Sequence, residues 1–198
     1  MQFTNRLLLG VILVGCSLLL WLLIARLQSS DAYPDLLQLE LVRKNKDLFF
    51  KTSPLSPIPE DRRASFQGLH YFAPTNQYRF PAFYIPISDS LTETLGDRPY
   101  RVAGFIRFRY QNREYQLKAY FETDSTLFVP FSDRTNGVLT YEGGRYLTIP
   151  LSMARKRNFH IDFNYAYFPY CAYNPNYLCP KVPVENHLPF PIKAGERY

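Results

Sequence analysis

Asp133, Asp162, Glu185 and His187 are the side chains of this sequence best suited to acid–base chemistry. A pair of carboxylates, or a carboxylate with an imidazole, moves protons at a scissile bond when the fold brings both within hydrogen-bond reach of a substrate. His187, in the run Glu185-Asn186-His187, is the best single general-base candidate. Arg145, which follows Gly143-Gly144, has the fork needed to clamp an anion. The same residues also fit a plainer role, a buried pair of Arg145 with Asp133 or Asp162 that fixes loops. Signatures tied more closely to mechanism are absent: there is no Gly-x-Ser-x-Gly elbow, no phosphate-binding loop, no Gly-x-Gly-x-x-Gly and no His-Glu-x-x-His.

The densest polar and aromatic stretch is residues 162–188. Its tyrosines, Tyr167 and Tyr173 among them, offer flat faces with hydroxyl tips, and Asn164, Asn174 and Asn186 can bond ligand or backbone. With Arg145 they form a candidate ligand-binding set for a small polar molecule such as a sugar. The competing reading is a loop packed on the sheet whose Asn and Tyr groups satisfy its own backbone. Cys171 and Cys179 lie eight positions apart. A disulfide there closes about nine residues and contributes roughly 2.6 kcal/mol in the loop-entropy description. It ranks ahead of free buried thiols. Zinc, with His187 and His160 or His70 completing a set, ranks last, because structural zinc knuckles space their cysteines more tightly. No metal and no cofactor are expected.

The elements that must position these groups are mainly strands. Sixteen Phe, sixteen Tyr and only nine Gly favour β-structure. Between residues 100 and 110 the even positions are Tyr100, Val102, Gly104, Ile106, Phe108 and Tyr110, and the odd ones include Arg101, Arg107 and Arg109. That is the period of a half-buried strand. Residues 114–122 repeat it in opposite phase, with Tyr115, Leu117, Ala119 and Phe121 inward, so the pair reads as a hairpin joined by Gln111-Asn112-Arg113. Further strands are expected at 69–72, 79–87, 126–131, 138–141, 145–150, 159–163 and 188–193. Prolines in the second and last of these place them at sheet edges. Ahead of the strands, Leu36, Leu37, Leu41, Leu48 and Phe49 recur at helical spacing and predict one amphipathic helix over 34–50. Arg43, Lys44 and Lys46 then fall on its polar side, read as a solvated face. The fold class expected is mainly β, an antiparallel β-sandwich or partly open β-barrel.

Residues 7–25 form an unbroken apolar run of nineteen residues. As a helix it spans about 28 Å, close to the ~30 Å core of a bilayer. Leu13-Val14-Gly15-Cys16 resembles a lipobox, and a cleaved secretory signal is a further alternative. The run continues nine residues past Cys16, longer than a signal core, so a retained anchor is preferred. The expected organisation is a transmembrane signal anchor and collar at 1–30, an amphipathic helix and Pro-rich connector at 31–60, and a β-rich globular domain at 61–198. A short N-terminal flank puts the domain on the extracytoplasmic side of a cell membrane. The net charge is +6, but no helix-turn-helix, RNP or zinc-finger spacing accompanies it, so no nucleic-acid partner is expected.

One ordered set of motifs carries more information than any of its members. Arg43-x-x-Lys46, Ser53-Pro54-Leu55, Phe66-x-Gly68-Leu69-x-Tyr71-Phe72 and Tyr78-Arg79 come first. Phe128-Val-Pro-Phe-Ser-Asp133, Thr140-Tyr-x-x-Gly-Arg-Tyr-Leu147, Asp162-Phe-Asn-x-Ala-Tyr167, Cys171-Ala-Tyr173, Cys179-Pro180, Glu185-Asn186 and Ala194-Gly195-Glu196 follow. The set resembles the bacterial family called Domain of Unknown Function 1684 over nearly everything after about residue 38. The resemblance implies a shared fold and a shared cluster around Asp133, Arg145, Asn164 and Asn174, and no assigned reaction.

The function expected from these readings is a membrane-anchored, extracytoplasmic binding or accessory subunit. It would either dock a membrane-protein partner or hold a small polar ligand. The alternative is a hydrolase-like enzyme using Asp133, Asp162, Glu185 or His187 in a Tyr-lined cleft.

Overall fold

The computed structural model describes residues 33–88 and 91–198. The apolar run at 7–25, expected to anchor the chain, lies outside the described residues. Among the described residues no helix is long and apolar enough to cross a membrane. Asp35–Tyr198 forms one compact unit.

The fold is mainly β. Its strands are β1 (Arg79–Pro86), β2 (Thr92–Leu95), β3 (Arg98–Tyr110), β4 (Arg113–Thr123), β5 (Thr126–Asp133), β6 (Arg145–Pro150), β7 (His160–Asp162) and β8 (His187–Leu188). They form one sheet in the order β6-β5-β4-β3-β1-β7, with β2 also on β3 and β8 on β5. Every pairing is antiparallel except β5 with β8. The sheet curls into a half-barrel. Right-handed twist supplies part of the curl, and irregularities in register at Val102/Gly104 and Phe121/Thr123 supply the rest. At the first of these, Gly104 has φ +146°, and a Cβ there would lie 2.1 Å from the Ile85 carbonyl oxygen. Only glycine lets β1 and β3 approach so closely.

The β3–β4 hairpin follows the period-two pattern, with Phe108 opposite Tyr115 and Ile106 opposite Leu117. Its turn is the pair Gln111-Asn112, both at positive φ, while Arg113 already belongs to β4. Two positive-φ residues match the twist of the flanking strands. The main core fills the concave face with Leu117, Leu127, Val129, Phe131, Leu147 and Ile149, closed by Phe80, Phe108 and Phe163. Alternation puts Tyr120, Phe128 and Tyr146 on the reverse face, where they form a second buried cluster with Leu95 and Val102. The sheet is therefore covered on both sides of its middle strands.

Several expected elements differ. Residues 69–72 contribute only an isolated bridge between Tyr71 and Glu196, and 138–141 is a turn, held by Thr135 accepting from the amides of Leu139 and Thr140. Beyond Leu188 the chain runs without ladder pairing, since Pro189 and Pro191 withhold amide donors. Strand β1 pairs with β7 over Arg79–Pro81 and with β3 over Ala82–Pro86, so in the strand order it lies between two neighbours rather than at the sheet edge. Thr92–Leu95, outside every expected strand, forms β2, a short strand on the first residues of β3.

Helix α1 (Leu36–Thr52) matches the expected helix with a shift of two residues, but its orientation is the reverse of the amphipathic reading. Leu37, Leu41 and Leu48 are 82%, 51% and 60% exposed, while Leu39, Phe50, Arg43 and Lys46 turn toward the domain. The cause is long-range pairing. Lys46 meets Glu196, Arg43 donates to the carbonyls of Phe72 and Asn164 at 3.4 Å and lies 4.3 Å over the Tyr71 ring, and Asp47 accepts from the Leu69 amide at 3.0 Å. Two short helices, α2 (Glu60–Arg63) and α3 (Leu151–Ala154), complete the helical content of four residues or more among the described residues.

Candidate functional site

A cleft of about 820 Å³ opens between α1, the reverse face of the sheet and the segment that follows β7. Leu39, Lys46, Phe49 and Phe50 line it from the helix, and Arg98, Tyr100, Glu122, Phe128 and Tyr146 from the sheet. Asn164, Tyr167, Tyr170, Tyr177 and Pro180 line it from the third wall. The aromatic rings are set by local geometry. Tyr100 stacks on Phe128 at 5.2 Å, Phe128 meets Tyr146 edge-on at 4.8 Å, and Tyr170 meets Tyr177 edge-on at 5.4 Å. The disulfide Cys171–Cys179, with Cα atoms 6.0 Å apart, closes the loop that presents Tyr177.

The polar centre of the cleft is the ion pair of Lys46 with Glu196. Glu196 is 1% exposed and also accepts from the Phe168 amide at 2.6 Å and the Tyr173 hydroxyl at 2.5 Å. Gly195, at φ +76°, turns the chain so that Glu196 points inward, and a Cβ there would lie 2.5 Å from the Ala166 carbonyl oxygen. The Lys46 ammonium sits 4.7 Å over the Tyr167 ring and 5.3 Å over Phe50. Burial pushes the Lys46 ammonium below the ordinary lysine value, and the Glu196 carboxylate opposes that shift without cancelling it. Tyr173 is pushed well above the usual phenol value, first by burial and then by Glu196; burial does the same to Tyr167 and Tyr146.

The acid–base candidates do not meet in this cleft. Asp133 and Arg145 are both fully buried and pair at 2.7 Å. Asp133 also accepts from the amides of Thr135 at 2.8 Å and Ile192 at 3.0 Å. Arg145 donates to the carbonyls of Ile192, Ala194 and Glu196, so it fixes the C-terminal segment that delivers the Glu196 carboxylate. Asp162 pairs with Arg79 at 3.5 Å and accepts from the Asn164 amide. Glu185 pairs with Lys118, which holds its carboxyl below the usual carboxylate range. His187 Nδ1 lies 3.0 Å from Ser132 Oγ on an exposed edge.

Of the candidate ligand set, Asn164 and Tyr167 line the cleft and Tyr173 touches it through Glu196. Asn164 bridges both backbone groups of Thr75, and Tyr167 bonds Thr148 at 2.8 Å. Asn186 is fully buried and clamps Lys118 and Pro130, while Asn174 accepts from the Asn176 amide at 3.0 Å. Among the described residues no group of three His, Cys, Asp or Glu side chains could hold a metal ion. Lys46 and Glu196 each belong to a motif visible in the sequence, but nothing local connects them across 150 positions.

The fold and the cleft together define a small β-domain whose curled sheet carries an aromatic, charge-centred cavity on its reverse face. The chain belongs to the family described as a protein of unknown function, DUF1684, whose profile matches residues 64–197. That match starts later than the position near residue 38 suggested by the motifs. The chain is also similar to an uncharacterised protein of Haloarcula marismortui solved by solution NMR. The two are 36% identical with a TM-score of 0.61 over 81% of this chain and 92% of the other. No curated protein matches.

Proposed function

We propose that this protein is a membrane-tethered, extracytoplasmic binding domain that holds a small polar ligand, of the size and hydroxyl content of a mono- or disaccharide, in the cleft beneath α1. The observation that carries this reading is the cleft itself. Its volume suits a small-molecule site, and its walls are aromatic faces around a few polar groups. Flat rings such as Tyr100, Tyr170 and Tyr177 offer stacking surfaces for a sugar ring. Arg98, Glu122 and the Lys46–Glu196 pair offer donors and acceptors of both signs. The tether is carried by the apolar run at 7–25. The hydrolase alternative draws no support from the candidate acids, since Asp133 and Asp162 are each committed to an arginine and lie outside the cleft.

Ligand-observed NMR on the full chain in lipid nanodiscs, with a panel of mono- and disaccharides, tests the reading. Saturable binding that weakens about tenfold when Tyr170 and Tyr177 are both changed to Ala supports it, at about 1.4 kcal/mol for the two rings. Binding of equal strength in the wild type and the double variant contradicts it. Extraction of the chain from vesicles by alkaline carbonate contradicts the tether.

A further inference from the structure

The exposed stripe of α1 is an interaction surface in its own right. Leu37, Leu41 and Leu48 lie on one face of the helix, each more than half exposed, and Leu55 just beyond the helix is also exposed. Lys44 and Lys51 alternate with them on the same side, both exposed. Leucines bordered by lysines on a helix of seventeen residues match the pattern of a segment lying in a bilayer interface, where leucines enter the acyl boundary and ammonium groups meet anionic headgroups. The rest of the helix is unavailable for that role, because Leu39, Phe50, Arg43 and Lys46 are turned into the domain.

We infer that α1 docks on the surface of an anionic bilayer through Leu37, Leu41 and Leu48, with Lys44 and Lys51 at the headgroups. The occupant is fixed by the chain that precedes the helix. This inference rests on the tether proposed above. With residues 7–25 in the membrane, about ten residues separate the apolar run from Leu36, a reach of at most ~35 Å. The helix is thereby confined near the lipid surface, where a weak interfacial affinity suffices to hold it. Docked in this way, α1 orients the domain and keeps its inward face as a wall of the cleft.

The chain has a single tryptophan, Trp21, within the apolar run. Trp21→Phe combined with Leu41→Trp, or with Leu48→Trp as a second reporter, places one fluorophore on the stripe. Trp21→Phe combined with Val184→Trp places it on an exposed site away from α1 in sequence. Each full-length variant, checked for native circular dichroism, is reconstituted in phosphatidylcholine–phosphatidylserine vesicles with and without brominated acyl chains. The inference predicts flotation of all variants. It also predicts that the reporters of the Leu41→Trp and Leu48→Trp variants are blue-shifted and quenched roughly twofold or more by the brominated lipid, with the Val184→Trp control unaffected. Flotation with stripe reporters no more quenched than the control overturns the docking and leaves the tether standing. A blue shift without lipid quenching, the sign of cover by protein, also overturns it. Failure to float contradicts the tether, and the docking with it.

Discussion

Lys46 and Glu196 are the residues on which the cleft turns. The pair joins a helix near the start of the domain to the last turn of the chain, and Glu196 is sealed from water while Lys46 faces the cavity. Removing one charge of such a pair leaves the other poorly solvated. Glu196→Gln is expected to lower stability by about 2–3 kcal/mol in urea unfolding, and adding Lys46→Met to it to recover part of that loss. Asp133→Asn is expected to cost more, about 3–5 kcal/mol, because Arg145 is fully buried and would keep its charge without a counter-ion. If Asp133→Asn leaves unfolding unchanged, the residue is not the structural anchor described above. In the sequence Asp133 and Arg145 both stand beside turn-forming residues, but Asp162 is an equal candidate for the partner of Arg145, and only the structure selects Asp133. Lys46 cannot be assigned to Glu196 from the sequence, because no local spacing encodes a contact across 150 positions.

At the level of elements, the strands are the more legible part. Strands β3 and β4 alternate apolar and polar residues with a turn between them, and the structure pairs them in the register that alternation implies. Strand β2 is hidden, because Thr92-Glu93-Thr94 has polar residues in both phases. The reverse-face cluster is also hidden, because period two names one buried face and Tyr120, Phe128 and Tyr146 occupy the other. Helix α1 lies within two residues of its expected bounds, yet Leu37, Leu41 and Leu48 do not mark its inward face, since their stripe outweighs Arg43 and Lys46 in any local count of apolarity. Gly104 tests the account of sheet curvature. Gly104→Ala puts a methyl group against the Ile85 carbonyl and is expected to destabilise by more than about 2 kcal/mol, read as a lowered denaturant midpoint.

For the molecule as a whole, buried and half-buried tyrosines dominate the response to alkali. Tyr71, Tyr120, Tyr146, Tyr167 and Tyr173 are each pushed well above the ordinary phenol value of about 10, with burial the leading cause. The native state therefore holds protons that the unfolded chain releases near pH 10, so stability is full below that pH and falls as pH rises above it. Lys46 and Arg145, whose values burial lowers, contribute the opposite slope, but these two groups are outweighed by five phenols. Absorbance at 295 nm is expected to show the surface tyrosines titrating smoothly and the buried set ionising in one steep step that coincides with loss of circular dichroism. Smooth titration of all sixteen tyrosines before unfolding would contradict that burial.

The claim that the cleft beneath α1 is the ligand site is tested most directly by mapping a bound saccharide with amide chemical shifts on the full chain in nanodiscs. The account predicts saturable shifts centred on Lys46, Tyr100, Tyr167 and Tyr177. Shifts centred instead on Ser132, Asp133, Glu185 and His187 would contradict it, and would return the acid–base residues to the centre of the question.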